Sequence, residues 1–123
     1  MRRATRFAIA LFAGAAVTPA LAQTDVVERG KQVFAHWCAP CHGEGRGDDG
    51  APMLPGTHAL TLKYRGQKPG LLEERTDLPA ELLKAFVRTG VASMPPFRKT
   101  EIADEDIAAI AAYLATTAAE GRR

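Results

Sequence analysis

The sequence predicts an all-α fold in a single domain. Three segments carry apolar residues at helical spacing, and no segment alternates apolar and polar residues as a half-buried strand does. The connections between them are rich in glycine and proline.

The first helix is expected over Asp25 to Trp37. Asp25 is placed as its N-cap, and Glu28 as the acidic member of a capping box. Val26, Gly30, Val33, Phe34 and Trp37 share one side. A glycine inside a helix costs about 1 kcal/mol against alanine, so Gly30 implies a close helix crossing. Gly43 to Gly50 holds four glycines among charged residues and reads as loop. It is no phosphate cradle, since no strand precedes it and no Lys-Ser/Thr follows. Ala51 to Leu62 shows no clear period. Gln67-Lys68-Pro69-Gly70 is a turn, and Leu71 to Arg75 a short helix.

Leu78 to Thr89 is a helix with Pro79 in its first turn, where a missing N–H is harmless. Leu78, Leu82, Leu83, Phe86 and Val87 form its apolar face, and Gly90 ends it. Val91 to Thr100 is a loop stiffened by Pro95 and Pro96. Asp104 to Ala118 is the last helix, opened by an acidic run that suits the positive end of the helix dipole. Its face is Ile107, Ile110, Ala111 and Leu114. Glu120 to Arg123 reads as a tail.

The chain begins like an exported one. Arg2, Arg3 and Arg6 precede an apolar run, Phe7 to Val17, and Ala20-Leu21-Ala22 forms a small-residue cleavage site. Residues 1–22 are therefore expected to be a signal peptide and 23–123 the folded domain. An uncleaved anchor is the alternative, but the run is short for a span and Pro19 interrupts it. No membrane span is expected after the leader. Cleavage would remove three of the sixteen basic residues and none of the fourteen acidic ones, so the mature domain is nearly neutral. There is no basic stripe, which excludes nucleic-acid binding.

The two cysteines of the chain stand in Cys38-Ala39-Pro40-Cys41-His42. C-x-x-C-H is the attachment signature of c-type haem, one covalently bound group. Two intervening residues let one tight turn present both sulfurs to one porphyrin edge, and His42 follows beneath as an axial ligand. A redox dithiol would need a βαβ context, and a zinc site two more ligands. Export suits the haem reading, because c-type haem is attached after translocation in bacteria.

A second iron ligand is sought among Met53, Met94, His36 and His58. Met94 is preferred: it stands in Ser93-Met94-Pro95-Pro96, where the prolines pre-set a loop for a weak thioether ligand. Met–His ligation suits electron transfer. Met53 reads as pocket packing, and His36 and His58 as surface residues.

Gly30 and Phe34, Cys38 to His42, Ala51-Pro52-Met53-Leu54, Met94-Pro95 and Tyr113 resemble class I cytochrome c in order and spacing. The resemblance implies that fold, three main helices wrapped with loops around the haem. It implies that Gly30 permits the first and last helices to cross, with Phe34 and Tyr113 packed there. It implies that the Pro52 carbonyl accepts from His42 Nδ1 and that Leu54 packs on the ring. Ala103 departs from the usual Ser or Thr before the last helix, so Asp104 is expected to cap.

Leu54-Pro55-Gly56-Thr57, Arg75-Thr76-Asp77-Leu78 and Ser93 to Arg98 look like the cytochrome subunits of p-cresol methylhydroxylase and eugenol hydroxylase. That resemblance implies an FAD-containing flavoprotein partner of the vanillyl-alcohol-oxidase type, which oxidises a para-alkylphenol and passes electrons on.

The expected function is thus a periplasmic one-electron carrier, not itself an enzyme, that serves such a flavoprotein and a downstream acceptor. The alternatives are a free shuttle between respiratory complexes and an open-site haem enzyme. Docking is expected around Ala51, Met53, Ala92, Pro95, Pro96 and Phe97, with Arg98 and Lys99 steering an acidic partner. Tyr64, Arg65 and Arg75 are candidate donors to the haem propionates.

Overall fold

Helices and loops make up the computed structural model, which describes residues 19–121. The elements are α1 (Pro19–Trp37), α2 (Ala39–His42), α3 (Pro55–Tyr64), a 3-10 turn (Leu72–Glu74), α4 (Ala80–Thr89) and α5 (Asp104–Glu120). The basic and apolar parts of the expected leader, up to Val17, lie outside the described residues.

α1 and α5 make the most extensive contact between described elements. A Cβ on Gly30 would run into the carbonyl of Ala109 and stand 3.0 Å from Ile110 N. Only the missing side chain lets the two backbones meet. Phe34 and Tyr113 pack beside that crossing, with ring centroids 5.5 Å apart, and Arg29 Nε reaches Asp106 Oδ1 at 2.6 Å. The core beneath is Phe34, Leu83, Val87, Ile102, Ile107, Ile110 and Leu114.

α4 lays Leu83 and Val87 on this core. Leu82 and Phe86, two of the five residues of its expected face, are more than a third exposed, while Leu78 packs partly against the core. The 3-10 turn is tied to α5 twice: the Tyr113 hydroxyl donates to the Glu73 carboxylate, and Thr117 Oγ1 donates to Glu73 O at 2.9 Å. Burial and the Glu73 charge push the Tyr113 hydroxyl up to about 12.

Several expected helix starts are corrected. α1 runs back to Pro19, through the expected cleavage site, so Asp25 is an interior residue and not a cap. Ala20, Leu21, Ala22 and Gln23 are helix formers that carry α1 back beyond Asp25. Pro79 precedes α4 in extended backbone, and its carbonyl accepts from Leu82 and Leu83 at 3.0 and 3.1 Å. Asp104 does not cap α5: Ala103 holds the N-cap position without a side-chain bond, and Asp104 is drawn to three cations instead.

α3 is the helix the sequence pattern did not announce. It has Pro55 in its first turn and ends at Arg65, whose φ is 48°. Thr57 is its one buried residue, and Thr57 Oγ1 donates to Gly43 O at 3.1 Å. Gly70 presses against Thr61 and Thr57. α3 thus packs through small and polar groups, which leave no apolar period to read.

Candidate haem site

Cys38, Cys41 and His42 come from a single helical turn. Cys38 is the N-cap of α2, and its carbonyl accepts from Cys41 N at 3.1 Å and His42 N at 2.8 Å. Positions i, i+3 and i+4 of a helix share a face, so this turn presents both thiols and the imidazole together. Cys38 is half-buried against the core and Cys41 is exposed. Burial, reinforced by Cys41, pushes the Cys38 thiol up to about 11.

His42 is half-buried, and burial lowers its pKa, so the neutral imidazole that a metal requires is favoured. His42 Nδ1 is buried without a hydrogen-bond partner among the described residues. The bond expected from Nδ1 to the Pro52 carbonyl is therefore not made. The ring is held by packing. A Cβ on Gly56 would lie 2.7 Å from both Nδ1 and Cε1 of His42 and 2.8 Å from Cys41 O. Gly56 is a site residue to which the sequence reading assigned no role at the haem, naming it only within Leu54-Pro55-Gly56-Thr57. The sequence carried no separate signal for it, because a glycine in the first turn of a helix stands out only once α3 is known to be a helix.

Pro52 and Leu54 flank different clefts. Pro52 lines one of about 320 Å³ with Gly43, Thr57 and Thr61. Leu54 lines one of about 570 Å³ with Pro40, His58 and Leu62. Met53 borders both, and Thr61 Oγ1 donates to its sulfur at 3.5 Å.

Met94 is half-buried against the same core as Cys38. It closes a tight turn: Met94 N donates to Val91 O at 2.9 Å and Val91 N to Met94 O at 3.1 Å. Ala92 inside that turn has φ 52°, a conformation that costs an L-residue about 1–2 kcal/mol. The two halves of the site meet through aromatic rings. Trp37, adjacent to Cys38, stacks edge-on to Phe97, three residues past Met94, at 5.7 Å. His36 is exposed and stacks on Trp37. Among the described residues no three His, Cys, Asp or Glu gather as a metal cluster, so His36 and His58 do not complete a zinc site with the cysteines.

The charged loop residues are engaged internally. Arg98 pairs with Glu101, and Lys99 joins Lys84 and Arg88 on Asp104. Tyr64 and Arg75 do come together: the Arg75 guanidinium lies 4.7 Å from the Tyr64 ring centroid. Arg75 is nearly fully buried, and its Nε and a terminal nitrogen bind Asp77 at 2.6 and 2.9 Å. Arg65 is exposed.

These residues fit a haem. Two thiols and a neutral imidazole share one face, and a thioether stands on the same apolar core; soft sulfur and imidazole donors suit iron. With an all-α architecture closed by the α1–α5 crossing, this defines a class I cytochrome c fold. The chain belongs to the family described as "Cytochrome C oxidase, cbb3-type, subunit III", whose model matches residues 25–114. It is accordingly an electron-carrying cytochrome c domain with haem c as its cofactor.

Two curated relatives are each 40% identical over 63 residues. They are the "Cbb3-type cytochrome c oxidase subunit FixP" of Rhizobium meliloti (strain 1021) and that of Sinorhizobium medicae (strain WSM419). The match covers 49% of this chain and 21% of each relative, so the chain spans about a fifth of their length. No solved structure matches.

These findings overturn the flavoprotein partner. The relatives are subunits of a cbb3-type oxidase, and nothing connects the chain to alkylphenol oxidation. The short motifs behind that expectation have internal work in this fold. Gly56 admits His42, Arg75 and Asp77 pair beneath Tyr64, and Phe97 anchors the Met94 loop to Trp37.

Proposed function

We propose that this chain is a single-haem, one-electron carrier that passes electrons to a terminal oxidase of the cbb3 kind. Cys38 and Cys41 hold the haem through thioethers, and His42 and Met94 are the axial ligands of its iron. When bound, the haem supplies an iron that alternates between ferric and ferrous states. The rest of the task falls to the chain. The α2 turn fixes both sulfurs and the imidazole on one face. Gly56, which has no side chain, leaves room for the His42 ring. Pro52 and Leu54 contribute pocket wall, and the Met94 loop keeps the second position closed. A site with both positions filled leaves no room for substrate at iron, so the chain transfers electrons and performs no substrate chemistry.

The observation that carries this reading is the sharing of one core by Cys38 and Met94, with Trp37 and Phe97 stacked between their segments. The division into a leader, 1–22, and a domain, 23–123, and export to the periplasm belong to the same reading. No helix among the described residues is long and apolar enough to cross a membrane.

The test uses the holoprotein. One haem per chain, a reduced spectrum unchanged by carbon monoxide, and oxidation of the reduced protein by a purified cbb3-type oxidase are expected. Met94→Ala should remove the ferric sulfur-to-iron absorption band. Carbon monoxide binding by the unmodified protein, or survival of that band in the variant, would refute the ligand assignment. Failure of the oxidase to accept its electrons would refute the partner.

A further inference from the structure

The segment from Gly90 to Ala103 must present one sulfur, yet it holds no helix or strand, only the Val91–Met94 turn and a second turn in which Glu101 N and Ile102 N donate to Arg98 O at 3.0 and 3.1 Å. Pro95 and Pro96 offer no N–H to anchor it. It is closed from the α4 side instead. Phe97 N donates to Val87 O at 2.8 Å. Arg88, the next residue, then binds three acceptors. Its Nη1 donates to Phe97 O at 3.0 Å, and its Nη2 to Ile102 O at 2.8 Å and to Asp104 Oδ1 at 2.7 Å.

The acceptors lie on the loop's second half and on the first residue of α5. One guanidinium therefore ties the end of α4, the limb that follows Met94 and the start of α5. The Arg88 side chain is 19% exposed, so these bonds are sheltered. Its Nε is buried without a partner among the described residues, so its bonds run through the two terminal nitrogens. Lys84 and Lys99 also reach Asp104, at 3.0 and 3.3 Å, so the carboxylate has other cations. Among the described residues no other side chain reaches the Phe97 and Ile102 carbonyls with such a planar fork. A lysine in place of Arg88 keeps the charge and loses the fork.

We propose that Arg88 is a positioning residue for Met94: its guanidinium staples the Phe97 and Ile102 carbonyls and thereby holds the loop at the distance that keeps the sulfur on iron. The staple also reaches the haem-attachment turn, because Phe97 stacks on Trp37 next to Cys38. The proposal rests on the reading of Met94 as an iron ligand.

The test compares Arg88→Lys and Arg88→Met holoproteins with the unmodified protein, using imidazole as a competitor for the sixth position. Both variants should bind imidazole about tenfold more tightly or better, the factor given by about 1.4 kcal/mol of lost closure. The ferric sulfur-to-iron band should weaken, and the Val91 and Met94 amides should exchange hydrogen faster. Arg29→Met, which removes the exposed ion pair at the α1–α5 crossing, is the control: it should lower stability without changing imidazole affinity.

Unchanged imidazole affinity and amide exchange in folded Arg88→Lys would overturn the proposal. So would an equal gain in imidazole affinity for Arg29→Met, which would make the effect general loosening. Met94→Ala separates the two layers. A surviving sulfur band there defeats the ligand reading, while amide exchange still decides whether Arg88 holds the loop.

Discussion

Replacing Gly56 by alanine tests the packing that holds His42. The added Cβ would lie 2.7 Å from His42 Nδ1 and Cε1 and 2.8 Å from Cys41 O, where ordinary contact begins at 3.4 Å. One neighbour is backbone and the other a half-buried ring, so neither yields freely. α3 must retreat from α2 by about 0.7 Å, a displacement at which neighbouring atoms forfeit about a quarter to a half of their contact energy. The same retreat stretches the Thr57–Gly43 bond, now 3.1 Å, out of range and removes about 1 kcal/mol. Overpacking adds about 1–3 kcal/mol. The intrinsic gain of alanine over glycine in a helix returns about 1 kcal/mol. The balance is a loss of about 2 kcal/mol, or roughly 10 °C in Tm for a domain of this size. Urea unfolding of the holoprotein should show a lower midpoint with an unchanged slope. Gly56→Ala with the stability and haem content of the unmodified protein would refute the packing argument.

Gly30→Ala should cost about 1–3 kcal/mol, because its Cβ meets the α5 backbone; a thermal midpoint equal to the parent's would show that the helices part freely. Arg75→Lys removes the paired bonds to Asp77 and the stack on Tyr64, and about 1.5–3 kcal/mol is expected in chemical unfolding. If lysine serves equally, the fork is not used. Arg75 and Lys68 hold the Asp77 carboxyl below the usual range. Its folded pKa is depressed, so its contribution is full above the unfolded value of about 4 and is lost as pH falls through the folded value. The stability gap between the unmodified protein and Asp77→Asn should narrow as pH drops below about 4; a gap constant with pH would remove the charge from the explanation.

The parts legible in the sequence were those that bury an apolar stripe. The faces of α1, α4 and α5 were readable because Phe34, Leu83, Val87, Ile107, Ile110 and Leu114 recur at the helical period. Gly30 was readable as a crossing because nothing else explains a glycine there. α3 was not readable, since Thr57, Thr61 and Gly70 make its contacts and carry no apolar period. The Asp25 cap failed for a different reason. A capping sequence is only a local option, and in the full chain the helix-forming residues before it, of which 19–22 belong to the proposed leader, continue α1 past Asp25. The phenol-oxidation partner failed because loop motifs that shape a site do not specify who docks on it.

For the site itself, the sequence determined the α2 turn. Cys38, Cys41 and His42 are three and four residues apart, so any helical turn puts them on one face, whatever surrounds it. The sequence also marked Met94 by its prolines. Only the tertiary structure decided what orients these groups. His42 is set by Gly56 of another helix, with its Nδ1 unpartnered, and not by Pro52. Met94 is set by Arg88, whose partners are two backbone carbonyls and a carboxylate as many as sixteen residues away. Local spacing fixes which side chains share a turn. Which backbone carbonyl or bare Cα then comes to face them depends on how the helices pack, and residue identity alone does not encode it.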